Sequence, residues 1–290
     1  MTAKGTKRAF PYSRVVSSLV AFVGFLLVLW VGLPLLAPAY LFVSLVAIQE
    51  YSVMMNLRGI PIRKRSLWVA TILTLPASLP VSYPGMEPLV AGVSWREALL
   101  GMVALYLIAL EVIRPNEQSM NAVIYSLFGY FYIPWLLGYA ITLRYTPDGV
   151  LGLWYLALPA LGIIASDVGA YVIGSLFGKN KLAPLISPNK TLEGAFGGLA
   201  LAIVMVSATT YALELWTGLQ VNLYDSIFFA ILVASAAQLG DLFESLIKRW
   251  AGVKDAGFFM PGHGGALDRI DSALFAVPVT YYFVTLFILR

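Results

Sequence analysis

The chain has no cysteine and a single histidine, His263, in 290 residues. Those two shortages remove disulfides, cysteine-ligated zinc, thiol nucleophiles and any site built on several histidines. Charge is scarce as well. Asp, Glu, Lys and Arg make up 12% of the residues, against roughly 25% in a soluble globular domain, while 60% are apolar. No polar stretch is long enough for a sizeable soluble domain. Apolar runs of about 17 to 25 residues, the length that crosses about 30 Å of hydrocarbon, recur instead from end to end. The composition is that of an all-α polytopic membrane protein, whose chemistry must happen in or beside the bilayer. The net charge of +4 does not indicate a nucleic-acid partner, because the basic residues flank the apolar runs and do not interleave with exposed aromatics.

Hydropathy places nine transmembrane helices at about 15–33, 38–55, 67–83, 98–113, 122–143, 151–177, 192–216, 225–250 and 269–289. Lys4, Lys7, Arg8 and Arg14 precede the first, as in a signal peptide, but the apolar run is too long and lacks a small-residue cleavage site, so it reads as a retained anchor. The third carries Pro76 and Pro80 and is expected to be bent. No internal repeat is visible. The reading divides the chain into residues 1–150, a five-helix bundle serving as scaffold and dimerisation region, and residues 151–290, four helices with the motif loops, the catalytic region. With the N-terminus cytoplasmic, the inner segments are 1–14, 56–66, 114–121, 178–191 and 251–268. Of the 19 Lys and Arg residues, all but Arg96, Arg144 and Arg290 then lie on the inner side, the skew expected of positive-inside orientation.

A charge at the centre of a bilayer costs roughly 2.5 to 3.5 kcal/mol on insertion scales, so an intramembrane acid is a functional candidate by default. Asp167 lies in ALGIIASDVGAYVIGSLFG; Asp241 and Glu244 lie in ASAAQLGDLFESLIKRW. Both aspartates sit about ten residues, roughly 15 Å, before the cytoplasmic ends of their helices. Asp241, Glu244, Ser245 and Lys248 share one helix face, with Arg249 beside it. That suits a divalent metal below and phosphates above. The plainer alternative is burial against cations or amides of neighbouring spans. It is the better reading for Glu50 and Glu111, and Lys248 and Arg249 could simply snorkel.

The loop AGVKDAGFFMPGHGGALDRID follows. Gly262, Gly264 and Gly265 around His263 permit positive φ, so that successive amides can converge on an anion. Asp268 and Asp271 share a face and could complete a metal site with Asp241. The segment GKNKLAPLISPNKTLEGAFGG supplies Lys179, Lys181, Lys190, Ser187 and Thr191 ahead of a helix N-terminus that favours anions. It has no Walker A spacing. Lys179 and Lys181 read better as positive-inside residues.

Together, Ser245 to Asp271, SLIKRWAGVKDAGFFMPGHGGALDRID, resembles the signature of the CDP-diacylglycerol synthases, also called phosphatidate cytidylyltransferases. The matching residues are Ser245, Lys248, Arg249, Lys254, Asp255, His263, Gly264, Gly265, Asp268, Arg269 and Asp271. SPNKTLEG, from Ser187 to Gly194, is similar to the family's second motif, and Asp167 to its intramembrane acid. Met260 and Ala266 depart in packing only, and the first five spans agree in hydropathy alone. The resemblance implies transfer from CTP to phosphatidate, giving CDP-diacylglycerol and pyrophosphate, with Mg2+ and a second cation such as K+, on the cytoplasmic side of the inner membrane, by a homodimer. It implies catalytic roles for Asp241, Lys248, Arg249, His263, Asp268 and Asp271. Substrate binding falls to Ser187, Lys190, Thr191, Glu193, Ser245, Lys254, Asp255, Gly264, Gly265 and Arg269. Asp241 and Asp268 are the first metal ligands, followed by Asp167, Glu244 and Asp271. A CTP-dependent polyprenol kinase would use similar parts on the γ-phosphate. A secondary transporter fits less well, since no repeat is visible and the acids cluster at one side in the final third.

Single cysteines replacing Lys64, Lys181 and Lys254 in this cysteine-free background should all label from the cytoplasm. Labelling of position 64 from the face opposite position 254 would show the helix count to be wrong by an odd number.

Overall fold

Backbone amides and carbonyls in hydrocarbon have no water to bond, so an apolar run must satisfy them within itself, as a helix. The computed structural model describes residues 12–80, 83, 94–217, 221–257 and 264–289, with side chains from Phe22 onward except Thr217. Its elements are α1 (Tyr12–Val31), α2 (Leu33–Leu57), α3 (Lys64–Ala77), α4 (Trp95–Ile113), α5 (Ser119–Tyr130), α6 (Tyr139–Arg144), α7 (Leu151–Phe177), β1 (Lys181–Ala183), β2 (Ser187–Thr191), α8 (Leu192–Thr217), α9 (Leu223–Ala251) and α10 (Leu267–Phe283). A π-helical turn, Phe131–Trp135, joins α5 towards α6, and another, Val284–Ile288, extends α10. Among the described residues six stretches are long and apolar enough to cross a membrane: Leu33–Leu57, Ser119–Arg144, Leu151–Phe177, Leu192–Trp216, Leu223–Ala251 and Leu267–Ile288. The chain is an all-α polytopic membrane protein.

Among the described residues helical segments overlie part of each of the nine expected positions, against six stretches long and apolar enough to cross, and the bounds differ locally. α1 and α2 are separated by Gly32 alone, which turns the chain with φ 76°; a Cβ there would sit 2.8 Å from the Tyr145 hydroxyl oxygen. α3 stops at Ala77 and not near residue 83, because Pro80 disfavours helical backbone at the residue before it. Its 14 residues span about 21 Å. Pro134 lacks an amide to continue the ladder, and the π-helical turn accommodates it. Residues 178–191, expected to be a loop, contain an antiparallel hairpin pairing Lys181 with Thr191 and Ala183 with Ser187.

Lipid gives helices no hydrophobic reason to associate, so close approach depends on small residues. A Cβ on Gly169 of α7 would lie 2.5 Å from the Gly197 carbonyl oxygen of α8, and one on Gly197 would collide with Ile173. Gly240 of α9 lies against the Asp271 carbonyl of α10, and about two turns on Lys248 meets Asp268. α9 and α10 therefore run in opposite directions.

Hydrogen bonds gather the motif loops at one end of the bundle: Arg58 Nε donates to the Trp250 carbonyl at 2.5 Å and Arg249 Nε to that of Ile186 at 3.3 Å. Arg96 and Arg144 occupy the other end, each 6% exposed. Arg144 donates to the carbonyls of Leu29 (3.0 Å) and Gly149 (2.5 Å). Arg96 donates to the Trp135 carbonyl (2.8 Å) and the Thr142 hydroxyl (3.2 Å), with its guanidinium 3.5 Å from the Tyr139 ring centroid. These two exceptions to the inside skew are packing clamps within the bundle.

Gly197→Leu should drive side-chain carbons into Ile173 and destabilise the α7–α8 contact by about 1–3 kcal/mol, read as a melting temperature several degrees lower in detergent. Val204→Leu, on an exposed position of the same helix, should leave it unchanged. Equal melting of both variants would refute glycine-dependent packing.

Candidate active site

Asp167 of α7, Asp241 of α9 and Lys190 of β2 line a cavity of about 380 Å³ that opens between α7, α8 and the hairpin. Lys190 is ion-paired with Asp241, which anchors the hairpin to the helix. Asp271, on α10, accepts from the Ser272 amide at 2.6 Å, and its carbonyl lies against Gly240, one residue before Asp241. Two carboxylates, Asp167 and Asp241, thus share this cavity with one lysine. Below them Gln238 donates to the Ser166 hydroxyl and the Ala195 carbonyl, each at 3.1 Å, tying α9 to α7 and α8. The sequence reading missed Gln238; its signal was an amide within an apolar run, three residues before Asp241.

A second polar group lies further along α9. Lys248 pairs with Glu244, whose side chain is fully buried, and donates to Asp268 Oδ1 at 2.6 Å. The other oxygen, Asp268 Oδ2, accepts from the amides of Ala256 (3.0 Å) and Gly265 (2.7 Å). Glu244 Oε1 is buried with no hydrogen-bond partner among the described residues. The acids are thereby sorted into Asp167 and Asp241 beside Lys190, Glu244 and Asp268 around Lys248, and Asp271 with its backbone against Gly240. Asp241 and Asp268 each hold a lysine, and among the described residues no three His, Asp or Glu side chains stand ready around a common point. The donor set still fits a hard cation. All its ligand atoms are oxygens, carboxylates outnumber lysines, and one buried carboxylate oxygen is orphaned.

The remaining expected residues surround these groups. Ser245 is buried with its hydroxyl 3.5 Å from Asp241 Oδ1. Thr191 accepts from the Gly194 amide at 3.2 Å and caps α8; Ser187 is paired in the hairpin. Glu193, expected to bind substrate, accepts from the Lys179 and Asn180 amides at 3.1 Å and from the Asn180 side chain at 2.8 Å, holding the turn before β1. Arg249 is exposed and bonds the carbonyls of Ile186 and Val253. Lys254 and Asp255 are exposed on the turn after α9, and Arg269 is exposed on the first turn of α10. Gly264 has φ 82°, and a Cβ there would lie 2.7 Å from Asp268 Oδ2, so only glycine fits. His263 lies outside the described residues. Glu111 pairs with Arg63, and Glu50 accepts from the Ala266 and Leu267 amides, each at 2.9 Å. Both acids therefore have the neighbouring-span partners that the plainer reading expected.

The model of the cytidylyltransferase family matches residues 12–287. The phosphatidate cytidylyltransferase of Bacillus subtilis is 37% identical over 209 residues, covering 72% of this chain and 74% of that protein. That of Staphylococcus epidermidis is 37% identical over 183 residues, 62% of this chain and 67% of its own length. The Staphylococcus haemolyticus protein of the same description reaches 47% over 132 residues, 44% of this chain and 48% of that protein.

Removing one partner of a buried ion pair strands the other charge, at about 3–5 kcal/mol. Lys248→Met should therefore lower the melting temperature sharply, and adding Glu244→Gln should restore part of the loss. An unchanged melting temperature in Lys248→Met would show that the triad does not hold α9 to α10.

Proposed function

The chain belongs to the cytidylyltransferase family, and from that footing we propose how its site carries out the family's chemistry. It is an enzyme that transfers the cytidylyl group of CTP to phosphatidate, giving CDP-diacylglycerol and pyrophosphate for phospholipid synthesis. A phosphate oxygen of phosphatidate bonds to the α-phosphorus of CTP while the bond from that phosphorus to the β-bridging oxygen breaks. Both reactants are anions, so repulsion between them is the main obstacle, and charge placed where it develops lowers it. One observation carries the assignment to this site: at one end of the bundle Lys190 pairs with Asp241 beside Asp167, and Lys248 pairs with both Glu244 and Asp268.

In this reading Lys190, Lys248, Arg249 and Arg269 hold phosphate oxygens and steady the departing pyrophosphate. Lys190 can exchange its bond to Asp241 for one to a phosphate, which frees the carboxylate for a cation. Asp241 and Asp268, with Asp167, Glu244 and Asp271, would hold Mg2+ and a second cation such as K+. Bound magnesium would supply charge neutralisation at the reacting α-phosphate. Ser187, Thr191, Ser245, Lys254, Asp255, Gly264 and Gly265 line the approach of the nucleotide, and His263 belongs to the same loop. Glu193 acts by shaping the hairpin. The acyl chains of phosphatidate stay in lipid while the headgroup enters the cavity beside Asp167.

The distribution of Lys and Arg supports nine crossings, with the N-terminus and the site on the cytoplasmic side of the inner membrane, where CTP is made available. The family resemblance supports a homodimer.

CTP labelled at the α-phosphate should transfer its label to the lipid phase, and γ-labelled CTP should release it only as pyrophosphate. Asp241→Asn and Asp268→Asn should each lower turnover by about a hundredfold or more in folded, membrane-inserted protein, and chelation of magnesium should abolish transfer. Label from the γ-position on the lipid would replace this assignment with a lipid kinase. Near-normal turnover of either variant would remove that residue from the site.

A further inference from the structure

Glu50 is 7% exposed on α2, far in sequence from the motif loops. Its two carboxylate oxygens accept separately from the amides of Ala266 and Leu267, each at 2.9 Å. Those amides open α10, whose N-cap, Ala266, has no side chain able to cap it. Glu50 therefore supplies from another helix the carboxylate that a helix N-terminus ordinarily receives locally, where the helix dipole also favours negative charge. The same carboxylate touches the loop before α10 at both of its described ends. A Cβ on Gly265 would lie 2.6 Å from each Glu50 oxygen, and one on Gly257 would collide with the same group. Asp268 closes the loop one step further by accepting from Ala256 and Gly265.

We propose that Glu50 is a positioning residue for the cytidylyl-transfer reaction, which fixes Gly257, Gly265 and the first turn of α10, and through them sets where Asp268 and Asp271 point. The inference rests on the reaction assigned above. The physical ground is that α10 presents Asp268 from its first turn and Asp271 from the next, close to an end where helices fray unless capped. Two hydrogen bonds donated by its backbone amides to a buried carboxylate lock the rotation and depth of that first turn. Lys248 then meets Asp268 in a single arrangement. The two glycines follow from the same contact, because any side chain at either position occupies the space of the carboxylate.

The test compares Glu50→Gln, Glu50→Ala, Gly257→Ala and the double variant Glu50→Ala/Gly257→Ala in purified full-length protein. Glutamine keeps the shape but turns an amide nitrogen towards one of the two backbone donors. Glu50→Gln is expected to lower kcat about tenfold or more, the scale of loss that a misplaced reacting group produces, with little change in melting temperature or in KM for phosphatidate. Amide exchange at 264–268 is expected to quicken while α7 is unaffected. Gly257→Ala should lose activity in the parent but add less than about twofold in the Glu50→Ala background, because contacting residues are not additive. Unchanged kcat in Glu50→Gln, a lower melting temperature with normal kcat, or equal effects of Gly257→Ala in both backgrounds would overturn the proposal. If the parent makes no CDP-diacylglycerol, the reaction assignment fails by itself, and exchange at 264–268 still decides whether Glu50 holds the turn: unchanged exchange in Glu50→Gln overturns it.

Discussion

A carboxylate carried into a bilayer has to be met by a cation or by backbone amides, and the last four long helices are arranged around that requirement. Lys248 draws Glu244 and Asp268 together and so joins α9 to α10. Lys190 reaches Asp241 and thereby lays the hairpin across the cavity mouth. The amides of Ala256 and Gly265 complete Asp268, so one carboxylate organises both a helix contact and a loop. The lysines act as tethers as well as counter-charges. Because lysine is a flexible point charge, each tether can be given over to a phosphate when one arrives, where a rigid arginine fork would resist the exchange.

Such an arrangement needs helices close enough for short side chains to meet. α7 and α8 achieve it through Gly169 and Gly197, and α9 and α10 through Gly240. Gln238 spans the remaining gap with two hydrogen bonds, leaving Asp167 free to face the cavity. The opposite end of the bundle solves a different problem. There Arg96 bonds to the Trp135 carbonyl of the π-helical turn and Arg144 to the Leu29 carbonyl in the last turn of α1, and both guanidinium groups lie over aromatic rings. One end is polar and built around charge exchange; the other is clamped.

The membrane character, the helices and the grouping of motif residues at one end could all be read from the chain. Each depends on composition or on local periodicity, which needs no knowledge of neighbours. Asp241, Glu244, Ser245 and Lys248 share a face because of helical spacing alone. That spacing cannot say which residue on another helix the face will meet. Lys190 lies 51 residues from Asp241, and the reading gave it to phosphates without foreseeing the carboxylate. Glu193 belongs to a motif expected at the substrate, and its carboxylate also holds the turn at Lys179 and Asn180, a contact that no local spacing shows. Glu50 carried no motif at all; its partner amides lie 216 and 217 residues away.

By itself, then, the sequence determined that this chain enters a membrane as helices and brings acids and cations to one end, because burial of apolar runs and the price of a charge in lipid act on each segment separately. Only the tertiary structure decided which charge meets which: Lys248 between Glu244 and Asp268, Lys190 on Asp241, and Glu50 at the start of α10. Those choices depend on how deep each helix sits and how it is rotated against its neighbours. Depth and rotation are set by glycine contacts and hydrogen bonds between distant segments, which no local pattern records.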